Sequence, residues 1–138
     1  MGSKEAITYL ETAEEQLRDA ELVFKGGSYA LCVFLSASAA ENATSALITK
    51  LGLAPSKKHR NSLILKMILD ESDKTQPSMR EIIESLKSLE PHITRARYPI
   101  RRGVQFLPPS KLYLRKDAEF ALSSARRVLV LVKNLEKS

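Results

Sequence analysis

Apolar residues recur three or four positions apart over most of this chain, the pattern of helices with one buried face. Residues 3–25 show it first, with acidic groups between the apolar positions. Ser3 stands where an N-cap is expected, and Gly26-Gly27 should end the helix because glycine adopts the left-handed C-terminal conformation without strain. The pattern predicts an amphipathic first helix.

The next stretch, residues 28–51, is apolar or small on nearly all sides, and between Ser28 and Thr49 only Glu41 is charged. A helix of this kind must be covered by other helices. We therefore predict that Ser28 caps the central helix of a bundle, antiparallel to the first helix. The run is long enough to cross a bilayer, but Glu41 and the hydroxyl groups make a span costly, so no membrane association is expected. We expect Glu41 to reach the surface or pair with an arginine.

Two shorter helical patterns follow. The first suits a short third helix with apolar residues Leu63, Ile64, Met67 and Ile68. A polar loop separates it from Ser78 and Glu81, which match a capping box that opens a fourth helix. Pro91 must kink that helix or start a new turn. The residues expected to point inward from the fourth helix are Ile82, Ile83, Leu86 and Leu89.

The end of the chain predicts a loop and a long helix. Residues 98–114 contain three prolines and a glycine and predict an ordered loop without a strand. The last helix is predicted from about Arg115 to Glu136. Its inward residues should be Ala118, Ala121, Leu122, Ala125, Val128, Leu129, Val132 and Leu135. The fold class is therefore all-α: an up-and-down bundle of four long helices and one short helix, forming one domain over residues 1–138.

Positive charge is concentrated in the last third of the chain. Residues 1–90 hold 11 basic and 13 acidic groups, whereas residues 91–138 hold 11 basic and 3 acidic groups. Residues 91–116 contain no acidic group and seven basic ones: Arg95, Arg97, Arg101, Arg102, Lys111, Arg115 and Lys116. An anionic partner is expected to bind there.

The sequence offers little catalytic or metal-binding chemistry. The single cysteine, Cys32, lies in the apolar helix, where a buried and inert thiol is expected. His59 and His92 belong to no spaced metal-binding pair, and no glycine-rich phosphate loop is present. We predict no cofactor, no metal and no catalytic residue. The amino terminus shows no signal or transit pattern, so cytoplasmic localisation is expected.

The strongest functional signal is a cluster of four arginines within eight residues, beside an aromatic ring. Its members are Arg95, Arg97, Tyr98, Arg101 and Arg102. Phosphate contacts next to an aromatic face suit a nucleotide or single-stranded RNA. The alternative is a solvated basic edge in which Tyr98 only packs against the helix end.

A second basic group lies at the expected amino-terminal turn of the third helix. It consists of Lys57, Lys58, His59 and Arg60. The helix dipole favours an anion at that position. We treat these residues as a candidate accessory site.

Taken in order, several short motifs resemble the HEPN superfamily, named for a nucleotide-binding domain of higher eukaryotes and prokaryotes. An acidic first helix precedes SYALCVFLSASAAENATSALI, which is similar to the tyrosine, alanine-rich and Ala-Glu-x-Ala features of the family. The set is completed by His59 followed by Leu63-Ile64, by the ARYP block at 96–99 and by the YLRKDAEFAL stretch that introduces the last helix. The resemblance covers essentially the whole chain.

The resemblance implies a helical bundle that is usually a homodimer and, in prokaryotes, the partner of a minimal nucleotidyltransferase in toxin and antitoxin pairs. Many members are metal-independent RNases with an Arg-x(4–6)-His motif near the end of the fourth long helix. No arginine of this chain is followed by a histidine at that spacing. Because such cleavage needs a proton-transfer group like histidine, the resemblance favours binding over nuclease activity.

The sequence therefore favours a non-catalytic homodimer that binds a nucleotide or RNA through the arginine cluster, alongside a nucleotidyltransferase partner. Two alternatives remain open. One is a structural helical adaptor that binds protein. The other is a metal-independent RNase in which His92 or His59 replaces the missing motif histidine.

Overall fold

The structure, a computed structural model, describes residues 3–72 and 76–137. Its elements in chain order are α1 (Lys4–Lys25), α2 (Tyr29–Lys50), α3 (Asn61–Ser72), α4 (Pro77–Leu89), α5 (His92–Arg95), β1 (Ile100–Arg102), β2 (Gln105–Leu107), a 3₁₀ turn (Pro109–Lys111) and α6 (Arg115–Lys137). Within the described ranges, five helices of twelve residues or more form a bundle around α2. The predicted all-α bundle is confirmed.

The first helix begins and ends where the sequence predicts. The Ser3 hydroxyl accepts a hydrogen bond from the Ala6 amide at 3.1 Å, which caps α1. Gly27 follows the helix with a φ of 84°, a conformation that favours glycine.

The central helix α2 is covered on several sides. Twelve of its residues are buried, and Ala37, Ala40 and Ala43 are fully buried. Helix α1 runs antiparallel to it, since Phe24 contacts Tyr29 near the turn while earlier residues of α1 contact later residues of α2. This helix is long and apolar enough to cross a membrane, and its burial makes it the core helix of the bundle.

One detail of α2 differs from the prediction. Ser28 occupies the N-cap position, but its side chain makes no capping hydrogen bond. The Ser28 carbonyl oxygen accepts a hydrogen bond from the Cys32 amide, as in the first turn of a helix. Cys32 itself is buried as expected, and burial raises the pKa of its thiol, so the thiol stays protonated.

Helix α3 begins later than predicted, at Asn61, so the basic residues 57–60 precede the helix rather than form its first turn. Leu65 and Leu69 are its buried apolar residues. Leu63 and Met67 are 49% and 63% exposed. Residues four apart share a helix face, and the face that meets the core carries Leu65 and Leu69.

The capping box expected for α4 does not form. The helix starts at Pro77 with Gln76 at the N-cap, so Ser78 already lies inside the first turn. Proline suits this first position because its missing amide hydrogen is not needed there. The predicted inward residues Ile82, Ile83, Leu86 and Leu89 are all buried. Part of the loop predicted before α4, residues 73–75, lies outside the described residues.

The prediction that residues 98–114 contain no strand was wrong. After Pro91 starts the short helix α5, β1 and β2 form an antiparallel hairpin in which Arg101 is opposite Phe106. The two-residue turn begins with Gly103 at a φ of 62°, as a type II′ turn requires. Each strand has only three residues, too few to show a clear alternation in sequence.

The last helix α6 packs along α2 and is tied to its other neighbours by ion pairs. Six of its eight predicted inward residues are buried, Leu129 and Leu135 are partly buried, and Leu131 is an additional core residue. Its outward basic residues pair with carboxylates on α1 and α4: Arg126 with Glu21, Arg127 with Glu81, and Lys133 with Glu14.

Candidate functional site

The short helix α5 presents three faces to three surroundings. Ile93 and Ala96 are buried in the core. His92 and Arg95 directly precede these two buried residues, and they line one surface cleft. Pro91 and Thr94 line another. Residues three apart share a helix face, so this short segment separates two clefts.

We call the first the histidine cleft. It has a volume of about 340 Å³ and lies between α5, the hairpin and the start of α6. It is lined by His92, Arg95, Ile100, Arg102, Leu112, Tyr113 and Asp117. Two of the four predicted arginines, together with a histidine, therefore meet at one cleft.

His92 and Tyr113 form a pair in this cleft. The His92 Nδ1 atom lies 2.7 Å from the Tyr113 hydroxyl oxygen, and the two rings meet edge to face at 5.5 Å. Burial is the main cause that lowers the pKa of His92, and the positive charge of Arg95 lowers it further, against the opposing effect of Asp117. Burial also raises the pKa of Tyr113. Both side chains are therefore neutral at pH 7.

The histidine cleft has an excess of positive charge. Among the residues that the structure describes, neither Arg95 nor Arg102 makes an ion pair, and both are exposed. The one carboxylate in the lining, Asp117, accepts a hydrogen bond from the Leu114 amide at 2.7 Å and so helps to start α6. Two guanidinium groups thus remain available to an anion.

Arg97 is held by its own neighbours instead. Its Nε atom donates to the Ile93 carbonyl at 2.9 Å. Its guanidinium carbon lies 5.1 Å from the ring centres of both Phe34 and Tyr98. Arg97 therefore joins α5 to α2, and Tyr98 is exposed beside it rather than in the histidine cleft.

Arg101 lies on the opposite side of the hairpin from Arg102. Side chains alternate along a strand, so Ile100 and Arg102 face the histidine cleft while Arg101 faces away. Its guanidinium carbon lies 5.4 Å from the ring centre of Phe106, its cross-strand partner. The five predicted cluster residues are therefore divided among three places.

We call the second cleft the basic cleft. It has a volume of about 450 Å³ and lies between α4, the Pro91 turn and the segment before α3. It is lined by Lys58, His59, Arg60, Ser62, Leu63, Lys87, Glu90, Pro91 and Thr94. Three of the four predicted accessory residues are here, whereas Lys57 is not part of the lining.

Polar contacts from α2 fix the segment before α3. His59 has a φ of 59°, and its Nδ1 atom lies 2.7 Å from a carboxylate oxygen of Glu41. Glu41 thus pairs with a histidine and not with the expected arginine. Asn61, 1% exposed, donates to the Glu41 carbonyl and to the hydroxyls of Thr44 and Ser45.

Glu90 fixes the start of α3 from the other side. Its carboxylate accepts hydrogen bonds from the Ser62 amide at 2.9 Å and the Ser62 hydroxyl at 2.6 Å. Burial raises the pKa of Glu90 despite these hydrogen bonds. The carboxylate therefore serves as the helix cap that the sequence reasoning did not find.

Sequence reasoning also missed the contributions of Lys87 and Asp117 and the pairing of Tyr113 with His92. Lys87 lies on the exposed side of an amphipathic helix and carries no signal of its own. Tyr113 and Asp117 are four apart around the start of α6, a spacing that places them together only once that start is known. No group of three metal-ligating His, Cys, Asp or Glu side chains occurs in the parts of the chain that the structure describes.

Comparison with known protein families gives one clear match. The model of the HEPN domain matches residues 6–135. Among curated proteins, a relative from Methanocaldococcus jannaschii named "Putative toxin MJ1304" is 28% identical over 137 residues. The alignment covers 97% of this chain and 90% of that protein.

Two solved structures are similar over the same length. The crystal structure of TT1696 from Thermus thermophilus has a TM-score of 0.76 and 28% identity, covering 96% of this chain and 98% of the other. The crystal structure of ST0689, an archaeal HEPN homologue, has a TM-score of 0.73 and 27% identity with the same coverage. The similarity therefore covers nearly the whole chain.

Proposed function

The chain belongs to the HEPN family, and from this premise we propose that it binds the phosphate groups of a nucleotide or of RNA in the histidine cleft. The observation that carries the proposal is the meeting of Arg95 and Arg102 at one cleft. Their guanidinium groups come from α5 and β1, two consecutive elements whose arginines line the same cleft. Planar guanidinium groups match the geometry of phosphate oxygens.

The surroundings of the two arginines support this function. Neither has an ion-pair partner among the described residues, so binding a phosphate breaks no existing salt bridge. The neutral His92 and the Tyr113 hydroxyl add hydrogen-bonding groups, and the Ile100 and Leu112 side chains add apolar surface. A small polar ligand with an apolar ring suits such a lining.

We also propose a cytoplasmic homodimer that works alongside a nucleotidyltransferase in a toxin and antitoxin pair. The family resemblance supports this assignment, and the toxin named in the M. jannaschii relative supports its toxin and antitoxin part. Exposed apolar side chains on α3 and α6, such as Met67, Phe120 and Val130, offer surface that a second chain could cover.

The binding proposal is tested with the double variant Arg95→Gln, Arg102→Gln. ATP and a fluorescent oligouridylate serve as ligands, with binding followed by calorimetry and by anisotropy. The variant should lose at least tenfold in affinity for both ligands while keeping its melting temperature, since exposed charges contribute little to stability. The charge-matched control is Arg18→Gln, Arg80→Gln, whose residues line neither cleft. Equal losses in the two double variants would leave only a general charge effect.

A second function, metal-independent RNA cleavage, is favoured by the position of His92. This neutral imidazole lies in the same cleft as two arginines, and Tyr113 holds its Nδ1 side. With the Nδ1 hydrogen donated to the Tyr113 oxygen, the Nε2 atom can take the proton of an RNA 2′-hydroxyl. The 2′-oxygen then attacks the adjacent phosphorus, and the leaving 5′-oxygen takes a proton from water.

Cleavage is tested with RNA incubated in EDTA. The parent should produce 2′,3′-cyclic phosphate ends, and His92→Ala should abolish them while keeping most of the RNA affinity, which Arg95 and Arg102 supply. Tyr113→Phe should reduce the rate less, because the tyrosine only orients the ring. If the parent leaves RNA intact under these conditions, binding alone remains as the function of the cleft.

A further inference from the structure

We infer that the basic cleft is a second phosphate subsite, and that an oligonucleotide bound in the histidine cleft continues across α5 into it. The inference rests on the proposed function and specifies its ligand as a strand longer than one nucleotide. It concerns residues from three separate stretches: the segment before α3, the end of α4 and the Pro91 turn.

The two clefts share one wall. Pro91 and Thr94 face the basic cleft, and His92 and Arg95 face the histidine cleft. Successive residues of a helix are about 100° apart, and four residues rise only about 6 Å. The ridge between the clefts is therefore a single short helical turn, which an extended strand can cross.

The cations of the basic cleft are available to a ligand. Lys58, Arg60 and Lys87 are exposed, and none makes an ion pair among the residues that the structure describes. Lys58 and Arg60 come from the segment before α3, whereas Lys87 comes from α4. Three positive charges from two sides of a cleft of about 450 Å³ attract an anion between them.

The carboxylates near this cleft already have partners. Glu90 accepts both hydrogen bonds of Ser62, and Glu41 contacts His59. These contacts hold the segment before α3 in place. Glu90 also lines the cleft and interacts electrostatically with Arg60, so the lining holds three cations and one carboxylate that already accepts two hydrogen bonds. The carboxylates thus fix the backbone of the basic cleft, and its lysines and arginine supply the positive charge.

The charge distribution favours a strand over a free nucleotide. Each cleft carries its own cations, and α5 keeps the two sets on different faces. A single phosphate can use only one set. Successive phosphates of a flexible single strand can use both, which raises affinity with each added contact.

The test compares uridine monophosphate with oligouridylates of increasing length on the triple variant Lys58→Gln, Arg60→Gln, Lys87→Gln. The variant should bind the monophosphate like the parent and lose about tenfold in affinity for the longest strand, where each lost phosphate contact removes part of the electrostatic term. The charge-matched control is Arg18→Gln, Lys25→Gln, Arg80→Gln, and circular dichroism checks that all variants fold.

Each other outcome overturns the inference in a distinguishable way. If the triple variant binds long strands like the parent, the basic cleft is no subsite, and the histidine cleft stands alone. If it loses the monophosphate as well, the basic cleft is the primary nucleotide site. A parent that binds neither the monophosphate nor the strands would remove the proposed function itself.

Discussion

At the scale of single residues, the pairing of His92 with Tyr113 sets the chemistry of the histidine cleft. The ring nitrogen and the hydroxyl oxygen are 2.7 Å apart, and both groups are partly or fully buried. Burial and Arg95 disfavour the imidazolium form of His92. A protonated His92 would add a positive charge to a cleft that already holds two arginines.

The lowered pKa of His92 predicts a pH dependence of stability. The pKa of His92 is lowered in the folded chain from 6.5, its ordinary value. Between the folded and the unfolded pKa of His92, the unfolded chain binds more protons than the folded chain. The free energy of unfolding therefore rises with pH in that range, and stability is lost as the pH falls below about 6.5. His92→Gln should flatten the pH dependence of the urea-unfolding midpoint over this range. An unchanged slope in the variant would show that His92 is not the group responsible.

Asn61 is the second residue on which the site depends. It is buried, and its side-chain nitrogen donates to three oxygens of α2 while its oxygen accepts the Ser56 amide. Asn61→Ala should lower the free energy of unfolding by about 1–3 kcal/mol, because buried polar groups lose their partners. Ser123→Ala, an exposed position on α6, serves as the control. Equal stability of the two variants in urea titrations would contradict this account of the segment before α3.

At the scale of elements, the close packing around α2 predicts the effect of overpacking. Ala40 is fully buried where α2 meets its neighbours. Ala40→Leu should therefore lose about 1–3 kcal/mol of stability. Ala54→Leu, in the exposed segment after α2, adds the same volume without a buried contact and should melt like the parent. If both variants melt alike, α2 is not the central helix.

The other long helices could be predicted from sequence because each buries a periodic stripe, and α2 could be predicted because it is apolar or small on nearly all sides. The hairpin could not, since two strands of three residues show no clear alternation, although Gly103-Val104 is a two-residue hairpin signal. The hairpin also explains why the arginine cluster divides: alternation along β1 sends Arg101 and Arg102 to opposite sides. The sequence identified which residues carry the charge, but the backbone turn decides which of them meet.

At the scale of the whole molecule, assembly is the main prediction. The exposed apolar residues of α3 and α6 are available to a second chain. The protein should therefore sediment as a dimer at micromolar concentration, as the proposed homodimer requires. A clean monomer would mean that each chain's clefts act alone, and that two copies do not combine into one site.

The charge of the whole molecule makes anion binding salt-dependent. The net charge of +6 arises from the carboxyl-terminal third, and both clefts adjoin it through α5. General attraction and specific contacts both weaken as salt increases, so affinity at one salt concentration does not separate them. The slope of log affinity against log salt gives the number of phosphate contacts, because each contact to a single strand contributes about 0.7 to the magnitude of this slope.

The most direct test is therefore the slope of log affinity against log salt for an oligouridylate. It is measured for the parent and for two double variants. The cleft variant carries Arg95→Gln and Arg102→Gln, and the control carries Arg18→Gln and Arg80→Gln. The two cleft arginines should account for a decrease of about 1.4 in the slope, two contacts at about 0.7 each. The control should keep the slope of the parent. Parallel lines for the parent and the cleft variant would show that Arg95 and Arg102 contact no phosphate, and the histidine cleft would not be the binding site.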